Sequence, residues 1–292
     1  VFTWGIDAKP QDIIGSGPFY LDQYKPGERL VLKRNPYYWK KSKQGEALPY
    51  LDQLIFLIIP DPEATLLRFI DGKLDLLGVS GEDYPLLKPQ ETKKNFTIYE
   101  AGANFGSSFI VFNQNAAINP KTQKPYLDPI KRSWFENLKF RQAVAHAIDK
   151  KKMIQILFNE LGYSQDGPMS PSSGFFYNPH VRSYAYDLEQ ARKLLKEGGF
   201  VYKQGAYYDQ TGHRLEFNLY TASSSQHSEN TQMATMIRSD LEKLGIKVNF
   251  VTLEFNTLVS KLMASYDWDA VLIGLTGGVE PHFGKNVWSS SG

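Results

Sequence analysis

Cysteine is absent from the 292-residue chain. That removes disulfides, thiolate nucleophiles and cysteine-based zinc sites together, without identifying a compartment. Long apolar runs are missing as well. The longest, such as Leu54 to Ile59, fall far short of the roughly 20 residues that span a bilayer. Neither sign of charge dominates: 33 basic residues against 31 acidic ones leave +2, so nothing demands a nucleic acid or an anionic membrane as partner. There is also no G-x-S-x-G elbow, no H-E-x-x-H and no carboxylate-rich loop, and with them go the motif-level signs of a serine hydrolase or a metalloenzyme.

What is present is the composition of a folded protein. Hydrophobic residues at 42% and charged residues at 22% exclude a disordered tail and a fibre. Aromatic residues reach 14%, many in short polar stretches where their flat, stiff surfaces serve either packing or a ligand. The chain begins at Val1 without a methionine, a signal peptide or a lipid-anchor cysteine, and its end, Trp288 to Gly292, closes no recognisable element. It reads as a piece of a longer protein.

Residues 16 to 39 have the pattern of a β-hairpin, with strands at Pro18 to Tyr24 and Arg29 to Arg34 and a turn at Lys25-Pro26-Gly27-Glu28, where proline and glycine preset the backbone angles. Leu51 to Ile59 is a further strand. Asp61-Pro62 opens a helix that stops at Gly72, and Leu74 to Val79 returns as a strand to complete a β-α-β unit. Strands are expected again at Phe96 to Glu100 and Ser107 to Phe112. The segment from Asn113 to Ser133 is rich in Asn, Pro, Lys and Gln and marks a lobe boundary, giving lobes of 1–113 and 114–292.

Beyond the boundary the spacing turns helical. Phe140, Val144, Ala147, Ile148 and Ile154 share a helical face over Phe140 to Ile156. Leu188 to Glu197 is a second helix, with Asp187 and Gln190 as its capping box and Gly198 as its stop. The last third then reads strand (Leu215 to Tyr220), helix (Glu229 to Leu244, burying Met233, Met236, Ile237, Leu241 and Leu244), strand (Ile246 to Leu253), helix (Phe255 to Tyr266) and strand (Ala270 to Leu275). This β-α-β-α-β order calls for a parallel sheet with right-handed crossovers. Ligands gather beyond the carboxyl ends of such strands. Here those ends are Thr221-Ala222-Ser223-Ser224-Ser225, Glu254-Phe255 and Thr276-Gly277-Gly278.

The five histidines form no nucleophilic constellation. His146 lies within a helix, His213 in a turn, His227 after the serine run, and His180 and His282 stand apart. Glu280 and His282 alone make no metal site, and no cofactor is expected. Gly15-Ser16-Gly17 runs into a strand rather than a helix, and Gly284-Lys285 is followed by Asn286 where a phosphate loop needs Ser or Thr, so neither is a nucleotide loop. Asn95-Phe96-Thr97 matches a glycosylation sequon, a tripeptide common by chance. An enzyme is not indicated.

A binding function remains. Gly15-Ser16-Gly17-Pro18-Phe19-Tyr20-Leu21, Lys25-Pro26-Gly27-Glu28 and Leu32-Lys33-Arg34-Asn35-Pro36-Tyr37-Tyr38-Trp39 together resemble the signature of the extracellular solute-binding proteins, family 5. These are the oligopeptide- and dipeptide-binding components of ABC importers. Asp71-Gly72-Lys73-Leu74-Asp75, Phe109 to Asn113, Phe140 to Asp149, Tyr186-Asp187 with Ala191 to Leu195 and Gly199-Phe200, and Trp268-Asp269-Ala270 follow in the family's order.

The resemblance implies an α/β periplasmic-binding-protein-like fold of class II, cluster C type, with two lobes joined by a hinge near Asn113. The chain would lack the N-terminal part and the C-terminal return. It implies an extracytoplasmic monomer, lipid-anchored or free, that captures an oligopeptide-like ligand and docks on an ABC permease. The ligand-binding residues it suggests are Asn113, Leu275, Thr276, Gly277, Gly278, Glu280 and Trp288. Family peptide binders carry an aspartate just after the strand equivalent to Asp269 to Gly274, and it pairs with the peptide amino terminus. This chain has glycine there. Either Glu280 takes over the charge, or the ligand has no amino terminus at that point, since an unpaired ammonium in a closed cleft is costly. An oligosaccharide would also suit Gly277-Gly278 beside Phe255, Phe283 and Trp288. A sensor domain of a transcription regulator is the reading from another class.

Overall fold

The computed structural model describes Lys9, residues 12–223 and residues 228–289. Ser224, Ser225, His227 and the terminal Ser290 to Gly292, all considered above, lie outside the described residues. The chain divides into two compact units, Val1–Leu77 and Gly78–Gly292.

In the first unit, strands β1 (Phe19–Lys25), β2 (Arg29–Arg34) and β3 (Gln53–Leu57) form an antiparallel sheet in that order. The β1–β2 turn closes with Glu28 N–H donating to the Lys25 carbonyl at 3.1 Å. Gly27 takes φ +72°, which only glycine adopts without strain. Helix α1 (Pro62–Ile70) starts where expected, because the Asp61 carboxylate accepts the Glu63 N–H at 2.9 Å and proline fills the first position. The expected strand at Leu74 to Val79 does not form: that segment is irregular and Leu76 is 88% exposed. Alternation marks which face a strand buries but supplies no neighbour to pair with, and no partner strand adjoins it among the described residues. Phe96 to Glu100 is irregular as well, with the Ile98 N–H donating to the Glu91 carboxylate at 2.6 Å instead of to a strand. Val31 is the one buried residue of this unit among those described.

The second unit opens with two short helices, α2 (Tyr84–Leu87) and α3 (Glu91–Lys94), and then strand β4 (Ser107–Phe112). The Asn/Pro/Lys-rich stretch read as a boundary ends in an unexpected helix, α4 (Pro129–Glu136), capped by Asp128. The single helix expected over Phe140 to Ile156 is two, α5 (Leu138–Ala147) and α6 (Lys150–Phe158). Ile148 and Asp149 break it. Asp149 leaves helical angles and its carboxylate caps Lys152 N–H at 3.0 Å, while Asp240 receives Asp149's own N–H at 3.1 Å. Helix α7 (Leu188–Glu197) has the expected Asp187 cap to Gln190 N–H. A small hairpin, β5 (Val201–Lys203) and β6 (Ala206–Tyr208), follows; the sequence reading did not anticipate it.

The remaining elements are β7 (Glu216–Ala222), α8 (Ser228–Leu244), β8 (Lys247–Leu253), α9 (Phe255–Ser260), β9 (Ala270–Leu275) and a terminal turn of helix, α10 (Lys285–Trp288). The helix expected to reach Tyr266 widens after Ser260 into a π-type turn at Lys261–Ser265. The sheet order is β4-β9-β7-β8, with β7 parallel to both β8 and β9 and β4 antiparallel to β9. Successive side chains alternate between two cores. Phe217, Leu219, Ala270, Leu272 and Phe112 face the larger core under α5, α7 and α8, where Ile237, Leu241 and Leu244 are buried and Met233 and Met236 partly so. Val111, Tyr220, Ala222, Val271 and Ile273 face a smaller core built around Leu258 of α9. Burial on both faces is why Ala270 to Leu275 is apolar throughout rather than alternating.

Candidate functional site

A cavity of about 680 Å³ lies at the carboxyl end of β9, within the second unit. Gly274, Leu275 and Thr276 leave the sheet there, beside Ser107 and Ser108 at the start of the antiparallel β4. The opposite walls come from Lys150, Met153, Ile154 and Phe158 of α6, the segment 161–165, and Glu229, Asn230 and Met233 in the first turns of α8. The position obeys the rule that open α/β sheets collect ligands beyond their strand ends.

Close backbone approach shapes the rim. A side chain on Gly106 would place its Cβ 2.8 Å from the Leu275 carbonyl oxygen, and one on Gly277 would stand 2.0 Å from the Phe105 carbonyl oxygen. The two segments bordering the cavity can therefore lie against each other only because both positions are glycine. A turn at 170–176 braces them. Ser172 Oγ donates to the Ala103 carbonyl at 2.6 Å, and Ser173 Oγ to the Gly278 carbonyl at 3.4 Å. Lys150, on the wall, is held by Asp166.

The expected site residues do not all meet. Leu275 and Thr276 line the cavity, and Gly277 and Gly278 form its rim by the contacts just described. Glu280 is exposed on the segment that follows, and its side chain makes no capping hydrogen bond. Trp288 packs on Phe109 with ring centroids 5.2 Å apart, while Phe283 is 77% exposed. Asn113 sits at the other end of the β4–β9 pair, some six residues or about 20 Å of strand from the cavity. It is buried, and its carboxamide donates to the carbonyls of Tyr266 (3.0 Å) and Trp268 (2.7 Å). Thr221 gives its hydroxyl to the Leu272 carbonyl at 3.0 Å inside the core. Glu254 caps α9, and the backbone N–H groups of Asn256 and Thr257 lower its pKa.

The sequence reading missed the α6 wall. Lys150, Met153, Ile154 and Phe158 follow an i, i+3, i+4, i+8 spacing, the spacing of one helical face. The overlooked cue was Asp149 before three lysines, an N-cap that opens a new helix. Among the described residues no group of three or more His, Asp or Glu side chains is placed to hold a metal, and no helix is long and apolar enough to cross a membrane.

A family model described as bacterial extracellular solute-binding proteins, family 5 middle, matches residues 1–291. The chain is similar to a probable ABC transporter-binding protein of Deinococcus radiodurans, 32% identical over 308 residues that cover 99% of this chain and 49% of the relative. It is similar to heme-binding protein A of Haemophilus influenzae at 27% identity, over 86% of this chain and 39% of that one. Among solved structures, the oligopeptide-binding protein AppA of Bacillus subtilis in complex with a nonapeptide shares the fold. The TM-score is 0.72 at 25% identity, over 96% of this chain and 51% of that one. The chain thus spans about half the length of the relatives it matches.

Proposed function

The chain belongs to the bacterial extracellular solute-binding proteins, family 5, and from that premise we propose that it captures an oligopeptide-like ligand outside the cytoplasm for an ABC permease. The observation that carries this reading is the cavity at the carboxyl end of β9, whose wall includes Leu275 and Thr276. The names of relatives support it: one is named a probable ABC transporter-binding protein, and another was solved with a nonapeptide. The protein does no covalent chemistry in this reading. It binds, closes about a hinge, and the ligand favours the closed form by its greater affinity for that form.

The lobe boundary of the proposal is Asn113, with 1–113 in one lobe and 114–292 in the other. Strands β4 and β9 are the connection about which closure occurs, and Asn113 acts on binding by pinning that pair at its far end. Gly277 and Gly278 offer backbone groups to an extended ligand. Glu280, exposed two residues beyond Gly278, receives the ligand's ammonium, and Trp288 adds an aromatic surface.

The test is calorimetric titration of the complete gene product with pooled peptides and pooled oligosaccharides. Saturable heat from the peptides is expected. Blocking their amino termini should weaken binding, and Glu280→Gln should abolish the difference between free and blocked forms. Silence from the peptide pool refutes the reading.

A further inference from the structure

The α6 wall of the cavity changes character along its length. Lys150 stands at its amino-terminal end, Met153 and Ile154 follow, and Phe158 closes the other end. Eight residues of helix separate Lys150 from Phe158, about 12 Å at 1.5 Å per residue. An extended chain covers that distance in three to four residues. Among the described residues lining the cavity, only Lys150 and Glu229 carry charge.

We propose that Lys150 is the group that recognises a free carboxylate, and that the cavity takes a short peptide with its carboxyl end at Lys150 and an apolar side chain three residues upstream against Phe158. This rests on the peptide-capture reading above. An ammonium has three N–H donors. Asp166 engages Lys150 from outside the lining and fixes its direction, leaving donors for a ligand. The Lys150 side chain keeps 31% of its accessibility and Asp166 18%, so the ammonium is partly withdrawn from water yet open to the cavity. A carboxylate that joins it makes a charge-assisted hydrogen bond, the stronger kind. Glu229 lies in the first turn of α8, where the helix N-terminus offsets its charge. It therefore does not cancel Lys150. At the far end Ile154 and Phe158 make an apolar surface, and a Cβ placed on Gly162 would stand 3.5 Å from Ile154 and 3.6 Å from Phe158.

The experiment titrates the complete gene product with Phe-Ala-Ala-Ala and Ala-Ala-Ala-Ala, each as the free acid and as the C-terminal amide. The acid of Phe-Ala-Ala-Ala should bind at least tenfold more tightly than its amide, and more tightly than the all-alanine acid. Lys150→Met should bring the acid-to-amide ratio to about one, and Lys150→Arg should restore it. Phe158→Ala should erase the preference for phenylalanine while keeping the acid preference, which separates the two ends of the site. If Lys150→Met fails to fold, as judged by circular dichroism, Lys150→Gln serves instead. Equal binding of acid and amide by the unmodified protein overturns the inference and leaves the peptide-capture reading standing. So does an acid preference that survives loss of Lys150. Failure of every peptide to bind removes both.

Discussion

Replacing Asp269 with asparagine tests what holds the β4–β9 pair to the rest of its sheet. The Asp269 side chain keeps 10% of its accessibility, and its Oδ2 accepts both Lys131 Nζ of α4 at 2.6 Å and the Asn218 N–H of β7 at 2.8 Å. Its carbonyl accepts the Asn113 N–H at 2.8 Å. One residue thus joins four segments. Breaking a buried ion pair from one side costs about 3–5 kcal/mol because the other charge is stranded. Lys131 retains 25% accessibility, so its ammonium can swing toward water on an apolar stem, which lowers the penalty. The amide keeps an acceptor for Asn218. Asp269→Asn should therefore cost about 2 kcal/mol. Asp269→Ala, which also orphans the Asn218 N–H, should cost about 3–4 kcal/mol. The assay is urea unfolding followed by amide exchange in peptides covering β4, β7 and β9, since a chain of two units need not unfold in one step. A cycle with Lys131→Met should return a coupling of about 1–2 kcal/mol. An Asp269→Asn protein within about 0.5 kcal/mol of the parent, or a cycle without coupling, would falsify the argument.

Three further outcomes follow from the geometry. Burial alone would raise the pKa of Asp209, but hydrogen bonds from Trp134 Nε1, His213 N–H and both donors of Thr211 outweigh it and bring it down to about 2. A depressed carboxylate stabilises the fold above its ordinary range. That contribution, at most about 2 kcal/mol, should fade as the pH falls from about 4 to about 2, and Asp209→Asn should flatten this acid limb in urea midpoints measured across that range. Phe217, 1% exposed, meets the rings of Phe112, Phe135 and Phe140 at centroid distances of 5.6, 5.8 and 6.4 Å. Phe217→Ala should cost about 3–5 kcal/mol and Phe217→Leu under about 1.5, and equal losses for the two in urea titrations would contradict the packing argument. Gly277→Ala forces a Cβ against the Phe105 carbonyl. It should weaken peptide binding by about tenfold or more and cost about 1–3 kcal/mol of stability, and unchanged affinity of the folded variant would show that the rim is not part of the site.

The sequence alone determined the elements whose signals are local. The caps at Asp61 and Asp187 are side chains bonding to their own neighbours, and both helices begin at them. Ala270 to Leu275 was legible residue for residue, because an apolar run of strand length bounded by Asp269 and glycines has few other uses. The parallel arrangement of β7, β8 and β9 followed from their alternation with helices. Tertiary structure decided whatever needs a partner from elsewhere in the chain. Leu74 to Val79 and Phe96 to Glu100 carry strand-like residues but join no sheet among the described residues. The cavity gathers residues from five separated stretches, and nothing in α6 by itself says that Lys150 and Phe158 face the end of a strand more than a hundred residues later. Asn113 stood out as a site residue, yet its carboxamide goes to Tyr266 and Trp268, carbonyls that only the antiparallel β4–β9 pairing brings within reach. Hydrogen bonding within a few residues can be read along a sequence; which distant surfaces meet depends on how all the buried faces are satisfied at once.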